Sequence, residues 1–152
     1  MNPEDIRRYF FEDLCLGMSA TYEKTLTQDD VERFAELSGD INPAHLDEAF
    51  ARSSRLQTRV VHGALTASLI SAVLGCRLPG PGCLYVKQEV NFRAPVRPGD
   101  TVTARAKIVR FDPERQFAEQ GAVVADARQS GGLERRVVVG LVHRGHIFGQ
   151  VV

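Results

Sequence analysis

The sequence predicts an α+β fold, an antiparallel sheet laid on one buried helix, and three observations predict it. Residues Ala64 to Leu74 (Ala-Leu-Thr-Ala-Ser-Leu-Ile-Ser-Ala-Val-Leu) are apolar on nearly every face. A helix with no side that seeks water has to be buried. At this length it is too short for the ~18 residues of a membrane span. The second half of the chain holds four β-like segments parted by Pro, Gly and Asp clusters. The first half carries one short strand followed by helices. Helices grouped ahead of a run of strands, without βαβ alternation, give a sheet with one face on a helix.

Taken in order, Ser19 to Leu26 alternates weakly and reads as a short strand. Thr27-Gln28-Asp29-Asp30 then starts a helix, with Thr27 as N-cap and acids in the first turn to meet the helix dipole. Val31, Phe34, Ala35 and Ser38 follow at helical spacing, and Gly39 is placed to end the helix. A short helix is expected around Asp47 to Arg52. The buried helix is expected to end at Gly75. After Leu78-Pro79-Gly80-Pro81-Gly82, the residues Leu84, Val86, Val90 and Phe92 mark a long strand with a phase slip near Gln88. Thr101 to Phe111 alternates Val102, Ala104, Ala106 and Ile108 against charged neighbours. Asp112-Pro113-Glu114-Arg115 and Gly131-Gly132 set off the last two segments, Phe117–Gln129 and Glu134–His143. The four segments after the helix are expected to form a meander.

Composition narrows the function. The 152 residues fit one domain, expected to span residues 15–152 behind an N-terminal extension of residues 1–14. Lys plus Arg and Asp plus Glu both total 19, a formal net charge of zero. That balance excludes the broad cationic surface of a nucleic-acid binder and the acidic run of a solvating tail. It also leaves little colloidal repulsion against self-association. A chain of this length buries about 68–70% of its extended surface without disulfides. Cys15, Cys76 and Cys83 are an odd count with no C-x-x-C spacing, so they read as reduced thiols. With no signal-like N-terminus and no apolar run long enough for a membrane, the expected setting is the cytoplasm.

One segment carries chemistry: Ser38-Gly39-Asp40-Ile41-Asn42-Pro43-Ala44-His45-Leu46-Asp47. Pro43 pushes Asn42 out of the α region, so the chain must turn between Asp40 and His45. The turn can bring carboxylate and imidazole to one side. An imidazole of ordinary pKa ~6.5 exchanges protons near neutrality, and with a carboxylate it can supply acid and base to one small substrate. The spacing alone equally supports a capping turn, with Asp40 on backbone amides and His45 half buried. A calcium loop fails, because its sixth position would be His45 and its twelfth Ala51. A transition-metal site is disfavoured, since no second His or Cys lies at ligand spacing nearby. Further on, His62-Gly63 immediately precedes the buried helix. The Gly63 N–H is then an unpaired donor at the positive end of a helix dipole, the physics of an oxyanion hole, although Gly63 taken alone reads better as a simple tight turn. His62 is expected to be structural, hydrogen-bonding across to the Asp40 loop.

Asp40-x-Asn42-Pro43-x-His45-x-Asp47, Val61-His62-Gly63, Leu78-Pro79-Gly80-Pro81-Gly82 and Pro95-Val96-Arg97-Pro98-Gly99-Asp100 together resemble the MaoC-like, (R)-specific enoyl-CoA hydratase family of hot-dog proteins. The likeness runs from about Leu26 to His143. It implies a five-stranded antiparallel sheet wrapped around the central helix and a homodimer, or a higher homo-oligomer, with a continuous sheet. It implies hydration of trans-2-enoyl-CoA to (R)-3-hydroxyacyl-CoA, with no metal and no cofactor. Asp40 and His45 would activate water, and Gly63 would polarise the thioester carbonyl. Asn42 would order the loop, and Ser71 would bond to the catalytic pair. Ala67 and Leu74, with Ser71, would line the acyl path. Arg52, Arg55, Arg59 and Lys87 could meet the nucleotide phosphates of the thioester or be solvated surface charges. Ala44 departs from the family, which more often has a larger aliphatic there. Thioesterases of this fold carry a carboxylate on the central helix, and Ala64–Leu74 has none. Two alternatives stay open: a 3-hydroxyacyl-acyl-carrier-protein dehydratase of fatty-acid synthesis, and a non-catalytic acyl-thioester-binding protein.

Overall fold

A computed structural model describes residues 6–112, 117–126 and 133–141. Strand β1 (Ser19–Thr25) is followed by three helices, α1 (Gln28–Ser38), α2 (Pro43–Leu46) and α3 (Glu48–Ser53). Helix α4 (Gly63–Cys76) precedes β2 (Cys83–Asn91), β3 (Thr101–Asp112), β4 (Phe117–Asp126) and β5 (Leu133–Leu141). The five strands form one antiparallel sheet in the order β1-β3-β4-β5-β2.

The α+β reading holds, and so does each of the longer elements. Thr27 caps α1 reciprocally: its Oγ1 accepts from the Asp30 N–H at 3.1 Å while Asp30 Oδ2 accepts from the Thr27 N–H at 2.9 Å. Burial raises the Asp30 pKa, but the hydrogen bonds from Thr27 and Lys24 outweigh it and leave the carboxyl below its ordinary value. Gly39 ends the helix at φ 77°, a left-handed conformation that glycine adopts without strain.

Three expectations need correction. Helix α4 runs through Gly75 to Cys76, since an interior glycine only lowers helix propensity and packing on the sheet outweighs that. Its apolar surface is not buried all round: Ala64, Ser68 and Ser71 form an exposed stripe at i, i+4 and i+7. Only β3, β4 and β5 form a meander. Strand β2 pairs with β5 at the far edge, and residues 92–100 cross the intervening strands to begin β3. Three strand spacings of about 4.8 Å are within easy reach of nine residues. The β2 phase slip falls between Tyr85 and Lys87. The expected turns at 113–115 and 131–132, and His143, lie outside the described residues.

The core follows from side-chain size. Val102, Ala104, Ala106 and Ile108 of β3, with Ala118, Ala122 and Val124 of β4, line the covered sheet face. Alanines there let α4 sit close, and Leu69, Ile70, Val73 and Leu74 fill the space between. Gln120, fully buried on the same face, donates from Nε2 to the Leu78 carbonyl at 3.2 Å. Residues 6–14 close the other end of the helix. The Arg7 and Tyr9 N–H groups donate to the Cys76 and Pro79 carbonyls, both at 2.8 Å, and Leu14 enters the core. Gly80, at φ 90°, is pressed so hard against this segment that a Cβ would lie 1.7 Å from the Arg7 carbonyl oxygen. All three cysteines are free, and burial pushes the Cys83 thiol above its usual pKa.

Leu74 is 1% exposed within this cluster. Leu74→Ala therefore removes core volume, and urea unfolding is expected to show a loss of about 2–5 kcal/mol.

Candidate active site

The segment between α1 and α4 folds back on itself through short polar contacts that its sequence dictates. Asn42 caps α2: its Oδ1 accepts from the Ala44 N–H at 3.0 Å, and Pro43 occupies the first helical turn, where a missing N–H costs nothing. Asp47 caps α3 by accepting from the Ala49 and Phe50 N–H groups at 2.8 and 3.1 Å. Asp40 divides its carboxylate. Oδ1 accepts from the Asn42 N–H at 3.3 Å, while Oδ2 lies 4.0 Å from His45 Nε2. The capping arrangement and the acid/base pairing thus coexist in one residue.

His45 is held from behind. Its Nδ1 lies 2.8 Å from the Val60 carbonyl, an acceptor only, so that nitrogen carries a proton, and Nε2 faces Asp40. His62 supports the ring from the other side, with centroids 3.8 Å apart and planes tilted by 31°. Phe34 of α1 packs against His62 in turn, at 5.0 Å. His62 Nε2 donates to the Asp40 carbonyl at 2.9 Å, the bond across to the loop that the sequence suggests. Its Nδ1 is buried without a hydrogen-bond partner among the described residues.

Gly63 follows directly as the first residue of α4, and its N–H meets no acceptor among the described residues. A Cβ on Gly63 would lie 2.9 Å from Phe92 Cε1, so the residue must be small for the Phe92 ring to cover the helix start. The ring comes from the crossing segment that reaches β3. That segment is pinned to the site by the Val61 N–H donating to the Val96 carbonyl at 2.7 Å.

The fold brings Asp40, Asn42, His45 and Gly63 into one neighbourhood. Ser71 stands apart, exposed on α4 and without a hydrogen bond to Asp40 or His45 within the chain. Ala67 and Leu74 are buried, so they do not share an exposed face with Ser71. Of the four candidate phosphate-binding cations, Arg52 and Arg59 both bond to Glu48 at 3.2 Å and Lys87 pairs with Glu89 at 2.8 Å. Arg55 is exposed.

Two residues escape sequence reasoning. Phe92 reads as a strand residue, and Glu48 falls within the short helix expected around Asp47 to Arg52 with no role of its own. Glu48 in fact binds the approach to His62, accepting from the Arg59 N–H and Nε and from Thr58 Oγ1. The sequence argument against a metal also misses His62, which lies far off along the chain. Asp40, His45 and His62 offer donor atoms all within 4.8 Å of one another. His62 Nε2 is committed to the Asp40 carbonyl, and Asp40 Oδ2 and His45 Nε2 oppose each other across the gap. A gap of 4.0 Å is too wide for a direct hydrogen bond and suits one oxygen bonded to both.

Known proteins share the sequence and fold of this chain. A family model described as a MaoC-like domain matches residues 17–131. An (R)-specific enoyl-CoA hydratase of Rhodospirillum rubrum is 49% identical over 117 residues, 77% of this chain and 81% of that protein. A 3-hydroxybutyryl-CoA dehydratase of Methylorubrum extorquens is 50% identical over 118 residues, 78% and 74% of the two chains. Among solved structures, the (R)-hydratase from Aeromonas caviae involved in PHA biosynthesis superposes with a TM-score of 0.83 at 35% identity, covering 86% of this chain and 99% of that one.

The Arg59 N–H and the side chains of Arg52, Thr58 and Arg59 hold the Glu48 carboxyl below its ordinary pKa. A carboxyl lowered in the folded state stabilises the fold above its unfolded pKa and loses that contribution as pH falls through its folded value. Thermal melts from neutral pH to below about pH 4 are expected to fall less steeply for Glu48→Gln than for the unsubstituted protein.

Proposed function

Because the chain belongs to the MaoC-like domain family, we propose that the Asp40–His45 loop and the start of α4 carry out that family's hydration chemistry. The protein is an (R)-specific enoyl-CoA hydratase, adding water reversibly across the double bond of a trans-2-enoyl-CoA to give an (R)-3-hydroxyacyl-CoA. The observation that carries the residue assignment is the Asp40 Oδ2–His45 Nε2 gap of 4.0 Å beside a free backbone donor.

In this reading a water bridges the gap, with its oxygen aimed at C3. The thioester carbonyl accepts from the Gly63 N–H, and the α4 dipole favours the negative charge that grows there. The Asp40/His45 pair takes a proton as the hydroxyl bonds to C3, and the pair of electrons moves into an enolate. A proton from the pair then reaches C2, so the elements of one water are added and the residues regain their starting state. Asn42 keeps the loop in register, and Phe92 excludes solvent from the oxyanion end. The acyl chain passes beside α4 along its exposed stripe at Ser71, while Ala67 and Leu74 face the core and do not line this path.

Loss of enoyl-thioester absorbance with a short trans-2-enoyl-CoA, followed by chiral analysis, tests the assignment. The expected product is the (R)-3-hydroxyacyl thioester. Asp40→Asn and His45→Gln are each expected to lower kcat by ~10²–10⁴ with the circular dichroism spectrum retained. Undiminished turnover in either folded variant would remove that residue from the mechanism.

The reading also takes the working unit to be a homodimer in the cytoplasm, where three free cysteines stay reduced. Support for the dimer comes from the β2 edge, where Leu84, Tyr85 and Val86 are 45%, 41% and 43% exposed. An apolar strand at the end of a sheet favours pairing with a second copy. Light scattering after size exclusion is expected to give twice the 16.8 kDa chain mass, and Val86→Lys to shift the protein toward monomer. A monomeric unsubstituted protein at micromolar concentration would contradict it.

A further inference from the structure

At the opposite end of α4 from Gly63, about 21 Å away by helical rise, lies a cavity of 410 Å³ that the hydration chemistry does not use. Its wall includes Arg7, Tyr9, Ser19, Thr21, Arg77 and Leu78, and among the described residues no carboxylate lines it. Neither guanidinium forms an ion pair among the described residues. Arg77 is fixed in place: it lies over the Tyr22 ring at 5.5 Å and donates from Nη1 to the Thr21 carbonyl, while its Nε is buried with no protein partner. Positive charge is gathered here in a protein whose net charge is zero.

We propose that this cavity is a binding site for a phosphate monoester, separate from the Asp40–His45 site. Guanidinium groups bind planar or tetrahedral oxyanions through paired N–H donors. Two such groups with the Tyr9 hydroxyl supply more donors than the two oxygens of a carboxylate can use, whereas a phosphate offers three acceptor oxygens and nearly two charges. The volume falls within the ~300–1,000 Å³ of small-molecule sites, and Tyr9 and Leu78 give the organic part of an ester apolar contact. The site depends on residues 6–14, since Arg7 is positioned by its main-chain bond to Cys76 and by the bare face of Gly80. It opens beside β1, at the sheet edge opposite β2, so a β2-joined pair leaves it exposed.

Isothermal titration calorimetry of the full chain tests this with adenosine 5′-monophosphate, inorganic phosphate and acetate at matched ionic strength. A saturable isotherm for a phosphate, weakened at least tenfold in both Arg7→Gln and Arg77→Gln, is expected. Tighter binding of the nucleotide identifies an esterified ligand, and equal binding identifies the bare phosphate group. Arg77→Gln also removes the bond to Thr21, so Arg7→Gln, which leaves every main-chain contact in place, decides if Arg77→Gln misfolds. Hydratase kcat/KM is expected to stay within twofold in Arg7→Gln. The proposal is overturned by the absence of any saturable phosphate isotherm, by equal heats with acetate, by unchanged binding in Arg7→Gln, or by a parallel loss of hydratase activity. The last outcome would make the cavity part of the thioester site and leave the hydratase reading intact.

Discussion

The close seating of α4 on the alanine-lined face of the sheet is the constraint from which the rest of the molecule follows. Ala104, Ala106, Ala118 and Ala122 are small enough for the helix to approach, and Leu69, Ile70, Val73 and Leu74 complete the contact. With the helix fixed, its first residue can only stand where residues 92–100 cross the sheet, and its last residues can only meet the N-terminal segment. One rod thus sets two unrelated environments. Its start offers a free N–H and a favourable dipole to an anionic oxygen, and its end helps to frame a cationic cavity.

His62 joins that rod to the chemistry. It is the last residue before α4, it carries the His45 ring on its face, and it holds the Asp40 main chain by a hydrogen bond. Any shift of the helix start would therefore move donor, imidazole and carboxylate together. Glu48 acts one step back by tying α3 to residues 58 and 59, so that Val60 and Val61 arrive in the register that lets the Val60 carbonyl hold His45 Nδ1. The loop is short, exposed and polar, yet its geometry is determined from three directions.

What the sequence revealed was whatever local chemistry decides. Thr27 with Asp30 and the left-handed Gly39 mark α1 unambiguously, the period-two pattern of Val102 to Ile108 marks β3, and Pro43 forces the turn that unites Asp40 with His45. Properties set by distant partners were not legible. The pairing of β2 with β5 instead of β3 depends on a crossing that no local pattern encodes. Residues Ala64, Ser68 and Ser71 share the small, weakly polar character of buried helix positions, so their exposure cannot be read from composition. The approach of His62 to Asp40 and His45 spans too many residues for any ligand-spacing rule, and Phe92 over Gly63 follows only from the crossing segment.

The divided carboxylate of Asp40 has an evolutionary consequence. Its Oδ1 belongs to the turn, and in the proposed mechanism its Oδ2 belongs to the reacting water. An asparagine supplies the same turn acceptor, so the substitution that the fold tolerates most readily at this position is also the one that removes the base. Selection for folding alone would not resist that change. Descendants of such a chain released from metabolic selection should accumulate asparagine here before they lose the hot-dog architecture, becoming well-folded proteins that still enclose a thioester-shaped site but no longer turn it over.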